Sequence, residues 1–182
     1  MSFFADRPRA SQLRQWHVET RAAIDDRELK TLDLIAQHLP VPNAILGMTE
    51  EEIAEYFEDT RRELDAAASL LALAEAEAVL RVDYLSRVQL KSKDPVSRTF
   101  RQLYRDKGES VRLDEDLLGT WTVHHSGCKS AVSEFRAALK LRHWLAHGRY
   151  WTPKLGRTYA PNDVFALAGR LFAKLPGVTG WS

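Results

Sequence analysis

The apolar positions fall in helical registers along nearly the whole chain. From Glu50 to Leu90 there is neither Gly nor Pro, and Leu70, Leu73, Leu80, Tyr84 and Val88 mark one stripe at helical spacing. Thr49-Glu50-Glu51-Glu52 reads as a capping box, with acids at the positive end of the helix dipole. The pattern predicts one very long helix, or two joined by a kink near Asp59 to Arg61.

The segment Gln12 to Leu39, with Leu13, Trp16, Ile24, Leu32, Ile35 and Leu39 among charged residues, predicts an amphipathic helix or two short ones, ended by Pro40 and Pro42. Asp94-Pro95 supplies a cap and a first-turn proline for a further helix that Lys107-Gly108 stops. A shorter piece follows over Leu113 to Thr122. A helix from Cys128 or Lys129 to His147 is halted at Gly148, and a last one runs from Asn162 to Lys174. The one competing strand pattern is Thr120 to Val123. The expected class is all-α, a bundle of about five to six helices, with a helical arm over 1–48 and a helical domain over 49–182 forming one compact unit.

Charges interrupt two of the apolar faces. On the helix ending at His147, Phe135, Ala138, Leu139, Leu145 and Ala146 share a face, and Arg142 falls within it. Glu77 and Arg81 lie within the stripe of the long helix. A guanidinium withdrawn from water needs a partner. Two readings follow: a structural ion network of Glu77, Arg81 and Arg142, or a polar site that opens onto a cleft or a second subunit. His147 stands in the last helical turn, where unpaired carbonyls and the negative dipole end favour a positive charge; it is either a cap or a proton donor. At about 100° per residue, Arg142 and His147 lie about 140° apart, so they meet on one phosphate only through the reach of the arginine or through a two-fold partner.

Composition narrows the chemistry. The net charge is only +1, yet residues 91–157 hold 14 Lys/Arg and 7 Asp/Glu while the rest hold 12 and 18. The basic part contains the Arg142–His147 helix, as a polyanion site requires, although acidic and basic parts of one chain also pack on each other. A single cysteine, Cys128, forms no internal disulfide. Asp6 and Arg7 interrupt the opening Met1-Ser2-Phe3-Phe4, and no stretch approaches the roughly 18 apolar residues of a membrane span. The expectation is a cytoplasmic protein with no membrane contact.

Other chemistries find less support. His143 and His147 stand at i and i+4, and His125 and Cys128 at i and i+3, which would make a four-ligand zinc site if the pairs met. No Gly-rich phosphate loop, Gly-x-Ser-x-Gly elbow or His-Glu-x-x-His is present. No cofactor is expected. Trp144, Tyr150 and Trp151 lie among Arg149, Lys154 and Arg157, an arrangement suited to stacking bases or to a dimer interface.

At Leu141-Arg142-His143-Trp144-Leu145-Ala146-His147-Gly148 the chain resembles the HEPN superfamily, whose signature is an Arg, a polar residue, and a His four to six positions on, often followed by Gly. The resemblance is sharp over about ten residues and architectural over perhaps 50 to 175. It implies a bundle that dimerises through the motif helices and, in many members, a metal-independent endoribonuclease of toxin–antitoxin, abortive-infection or phage-defence systems, with RNA as substrate and an antitoxin or regulatory protein as partner. Other members only bind. By this likeness Arg142 would hold the phosphate, His147 would be the acid/base and His143, where the family often has Asn, the accessory polar residue. Lys140, Arg149 and Tyr150 are the candidate substrate contacts, with Glu77 and Arg81 supporting. Tyr150 stands three positions after His147, one further than the tyrosine modified in some members, so that modification is not carried over.

Overall fold

The fold is organised around α2, an unbroken helix over Glu50–Leu90, 41 residues and about 60 Å long. Its start is fixed as the capping box predicts: Thr49 Oγ1 accepts from the Glu52 amide at 3.2 Å, and Glu52 Oε2 accepts from the Thr49 amide at 2.7 Å. There is no kink near Asp59 to Arg61. Instead Arg61 reaches sideways to carboxylates of the neighbouring helix, Asp25 at 2.7 Å and Glu28.

A computed structural model describes residues 9–181. Residues 1–8, which include the Met1–Arg7 opening and the start of the 1–48 arm, and Ser182 lie outside the described residues. Those described are all-helical, without a strand: α1 (Ala10–Ala36), α2, α3 (Pro95–Lys107), α4 (Gly119–His124), α5 (Lys129–Ala146) and α6 (Pro161–Ala173). A π-helical turn over Leu113–Leu118 leads into α4. Thr120 to Val123 is therefore helical, because Trp121 enters the core beside Leu117 and Leu118. No helix among the described residues is long and apolar enough to cross a membrane.

One helix, α1, spans the whole Gln12-to-Leu39 segment up to Ala36 and runs antiparallel to α2. The apolar pattern holds in part, with Leu13, Ile24 and Ile35 packed inward. Trp16, Leu32 and Leu39 are exposed, while His17 and Thr31 are buried. Polar pairs zip this hairpin together: Asp65 of α2 accepts from His17 at 2.7 Å and from Arg21 at 3.0 Å. Ile45, Ile53 and Phe57 form a small second core near its far end, whereas Ala10 and Leu13 join the main one.

The main core collects the opposite half of α2 with α3, α4, α5 and α6. Ala68, Ala72 and Ala76 recur every four residues and are fully buried, which lets neighbouring helices approach α2 closely. Tyr84, Phe100 and Trp121 stack edge to face at 5.2 and 6.3 Å, and the Tyr84 hydroxyl donates to the Gly108 carbonyl at 2.8 Å. Desolvation pushes that phenol up to about 12, so it stays protonated and donating across the ordinary pH range.

One largely covered cation ties four segments together. Arg87 of α2 donates to Asp83 at 2.8 and 2.9 Å, to Asp94 at 3.3 Å at the start of α3, and to the Pro176 carbonyl at 2.6 Å beyond α6. It also lies over the Trp121 ring of α4 at 4.9 Å.

Candidate functional site at the end of helix α5

Helix α5 buries Val132, Phe135, Ala138 and Leu141 against the bundle. Ala146, which the apolar spacing places on this face, is exposed, and Leu141 takes the buried position instead. That rotation moves Arg142 from the middle of the stripe to its flank, beside α2.

There Arg142 Nη2 pairs with Glu77 Oε2 at 2.8 Å. The other Glu77 oxygen takes Arg81 at 2.8 to 2.9 Å, and Arg81 also donates to the Val111 carbonyl at 3.3 Å. One carboxylate thus bridges two guanidiniums, and the cluster keeps a net positive charge. Glu77 is largely covered, with 15% of its side chain exposed, but Arg142 remains 38% exposed. Its Nε is buried without a hydrogen-bond partner, leaving part of the guanidinium fork unused.

The helix ends one residue before the motif does. His147 is its C-cap, at φ −103°, and its amide donates to the His143 carbonyl at 3.1 Å. Gly148 and Arg149 follow with φ of 81° and 57°, and the Arg149 amide returns to the Trp144 carbonyl at 3.2 Å, the six-to-one bond of a Schellman stop. Glycine suits the first of these left-handed positions, so Gly148 directs the chain sharply away after His147.

Both imidazoles are solvent-exposed, with ring centroids 4.3 Å apart. His143 also faces the Trp151 ring at 5.8 Å. The segment after the helix is tied down twice. Trp144 Nε1 donates to the Trp151 carbonyl at 2.6 Å, and Arg149 forms a two-pronged pair with Glu63 of α2 at 2.8 and 2.6 Å. That hydrogen-bonded guanidinium holds the Glu63 carboxyl below its usual range. Tyr150 projects outward, 83% exposed, against the edge of Trp151.

Among the expected site residues, the structure joins Glu77, Arg81 and Arg142 into one cluster and His143 with His147 into another. No hydrogen bond or ring contact joins the two clusters among the described residues, as the 140° separation predicts. Arg149 is occupied by Glu63. Lys140 lies one turn before His143 and lines a groove of about 950 Å³ between α5 and residues 151–155.

The His125–Cys128 and His143–His147 pairs that a four-ligand zinc site would need do not meet. Cys128 precedes the first turn of α5 and His143 and His147 stand in its last, so about 22 Å of helix separates them. Cys128 is buried, its Sγ donates to the His125 carbonyl at 2.9 Å, and burial pushes its thiol up. No group of three or more His, Cys, Asp or Glu among the described residues is placed to hold a metal ion.

Periodicity missed the Glu63–Arg149 tether, which spans 86 positions, and the groove wall supplied by Asp114 and Arg136. Neither has a signal within a single element. No family model matches the chain, no curated protein matches it, and no solved structure matches it.

Proposed function

We propose that the chain is a metal-independent endoribonuclease of HEPN type, acting at a site that two copies build through their α5 helices, in a toxin–antitoxin or phage-defence setting in the cytoplasm. The observation that carries this reading is the pair of exposed imidazoles, 4.3 Å apart, on the same helix end as a guanidinium cluster with net positive charge.

The chemistry needs no further group. The ribose 2′-oxygen attacks the adjacent phosphorus while a neutral imidazole takes its proton. The bond from phosphorus to the 5′-oxygen breaks, and an imidazolium protonates the departing oxygen, leaving a 2′,3′-cyclic phosphate and a 5′-hydroxyl. Arg142 stabilises the phosphorane as negative charge grows on its oxygens, using donors that Glu77 does not occupy. His147 is the principal proton carrier, and His143, at ring-contact distance, is the accessory one. Because Arg142 and His147 point to different sides of one helix, the partner copy supplies the convergence that one chain lacks.

A second reading has its own observation. Glu77 holds Arg142 within one chain at 2.8 Å, as a structural ion pair in a non-catalytic interaction or RNA-binding module would.

Mixing two impaired variants separates these readings. Arg142→Ala and His147→Ala proteins are each expected to cut RNA at least about 10²-fold more slowly than wild type. Unfolded and refolded together, they form mixed dimers that retain one arginine and one histidine, and cleavage returns to a substantial fraction of the wild-type rate. A mixture as slow as either variant beside an active wild type would remove the two-copy site.

A further inference from the structure

Arg136, Lys140, His143 and His147 follow one another at intervals of four, three and four residues, so they form a single row along α5. All but Arg136 are exposed. Across the groove from this row stand Lys154 and Trp151, from the segment that Trp144 and Arg149 tie down. Asp114 pairs with Arg136, whereas Lys140 and Lys154 have no ion pair among the described residues and both line a space of about 950 Å³. The groove shares His143 with the motif, and the His147 ring lies directly beyond it.

A channel with cations along both sides, an indole in its wall and an imidazole pair at its end matches the parts of a single-stranded nucleic-acid track. The cations suit a phosphate backbone. The indole suits a base, which must be unpaired before it can stack on a side chain. We propose that this groove binds single-stranded RNA, with phosphates along Lys140 and Lys154 and one base on Trp151, and delivers the chain to His143 and His147. The proposal rests on the ribonuclease reading of the motif and specifies its substrate as single-stranded.

Binding is measured apart from cleavage by using a fluorescent 2′-O-methyl oligouridylate, which lacks the attacking hydroxyl, and by following anisotropy from low to moderate salt. The Lys140→Glu/Lys154→Glu double variant is expected to bind at least tenfold more weakly. Its dependence of log Kd on log salt becomes shallower by about 1.4, two phosphate contacts at about 0.7 each. Arg105→Glu, on α3, leaves both unchanged. Trp151→Ala weakens binding and Trp151→Phe restores it, because the bond from Trp144 is made to the residue 151 carbonyl and survives both changes. An unchanged Kd and slope in the double variant overturns the proposal, as does displacement of the oligonucleotide by polyglutamate at equal charge concentration, which would assign the groove to acidic proteins. Tight groove-dependent binding without cleavage of unmodified RNA would retain the groove and remove the ribonuclease reading. Cleavage that the double variant leaves intact would do the reverse.

Discussion

Under the proposed ribonuclease function, His147→Ala is expected to lower the rate of RNA cleavage by about 10²- to 10⁴-fold, the range for loss of a positioned proton-transfer group. The same change leaves stability within about 0.5 kcal/mol, since the ring is exposed at a helix end and touches only His143 closely. Arg142→Ala is expected to reduce the rate by about 10²- to 10³-fold, as removal of a donor to a developing oxyanion does. It also destabilises modestly, because Glu77 loses one of two partners but keeps Arg81. Arg142→Lys separates the roles further: an ammonium can still neutralise Glu77 but cannot offer a planar fork to phosphate, so stability recovers and activity does not. Initial rates on single-stranded RNA, set beside urea unfolding of each variant, measure both quantities. A loss of stability in Arg142→Ala with no change in rate would establish the ion-pair module instead.

The largest structural effect is expected at Arg87. Removing one partner of a buried ion pair typically costs about 3–5 kcal/mol, because the remaining charge is stranded. Asp83, facing Arg87, has only 8% of its side chain exposed, and desolvation already pushes its carboxyl above the ordinary range despite the opposing guanidinium. In Arg87→Ala the carboxylate loses that compensation, Asp94 and the Pro176 carbonyl lose a donor, and Trp121 loses its cation. For a chain of this size, Tm should fall by on the order of 10 °C.

The pH dependence of this loss has a definite sign. A carboxyl whose folded pKa lies above its unfolded value favours the fold in its neutral form, and that contribution is lost as pH rises through the folded value. The Arg87→Ala deficit should therefore be largest well above the carboxylate range and shrink on acidification. Thermal unfolding across pH checks this. Adding Asp83→Leu to Arg87→Met should recover part of the loss, since an apolar pair carries no stranded charge. A deficit below about 1 kcal/mol, or one that grows as pH falls, would contradict the network account.

These two sites differ in how far the amino-acid sequence reveals them. The ends of α2, α3 and α5 were legible because each depends on residues close together in the chain: Thr49 with Glu52, Asp94 with Pro95 and Ser97, His147 with Gly148. Glu77 and Arg142 stood out because charges interrupted otherwise apolar stripes. Arg87 did not, since its spacing from Asp83 resembles an ordinary surface pair, and its burial depends on Trp121 and Pro176 arriving from elsewhere. The face of α1 was misread for a related reason. Ion pairs with α2 at His17, Arg21, Asp25 and Glu28 share this interface with Ile24 and Ile35, so Trp16 and Leu32 remain outside while His17 goes in. On α5, the rotation that buries Leu141 and moves Arg142 to the flank follows from packing against α2, which no single-helix pattern contains.

In the proposed function, imidazoles and a guanidinium cut RNA without a metal. The most direct measurement is incubation of purified wild-type protein with single-stranded RNA in excess chelator, followed by analysis of the new ends. The account predicts cleavage that chelator does not diminish, with 2′,3′-cyclic phosphate on one fragment and a 5′-hydroxyl on the other. RNA left intact, or cut only after a divalent metal is added, would contradict it.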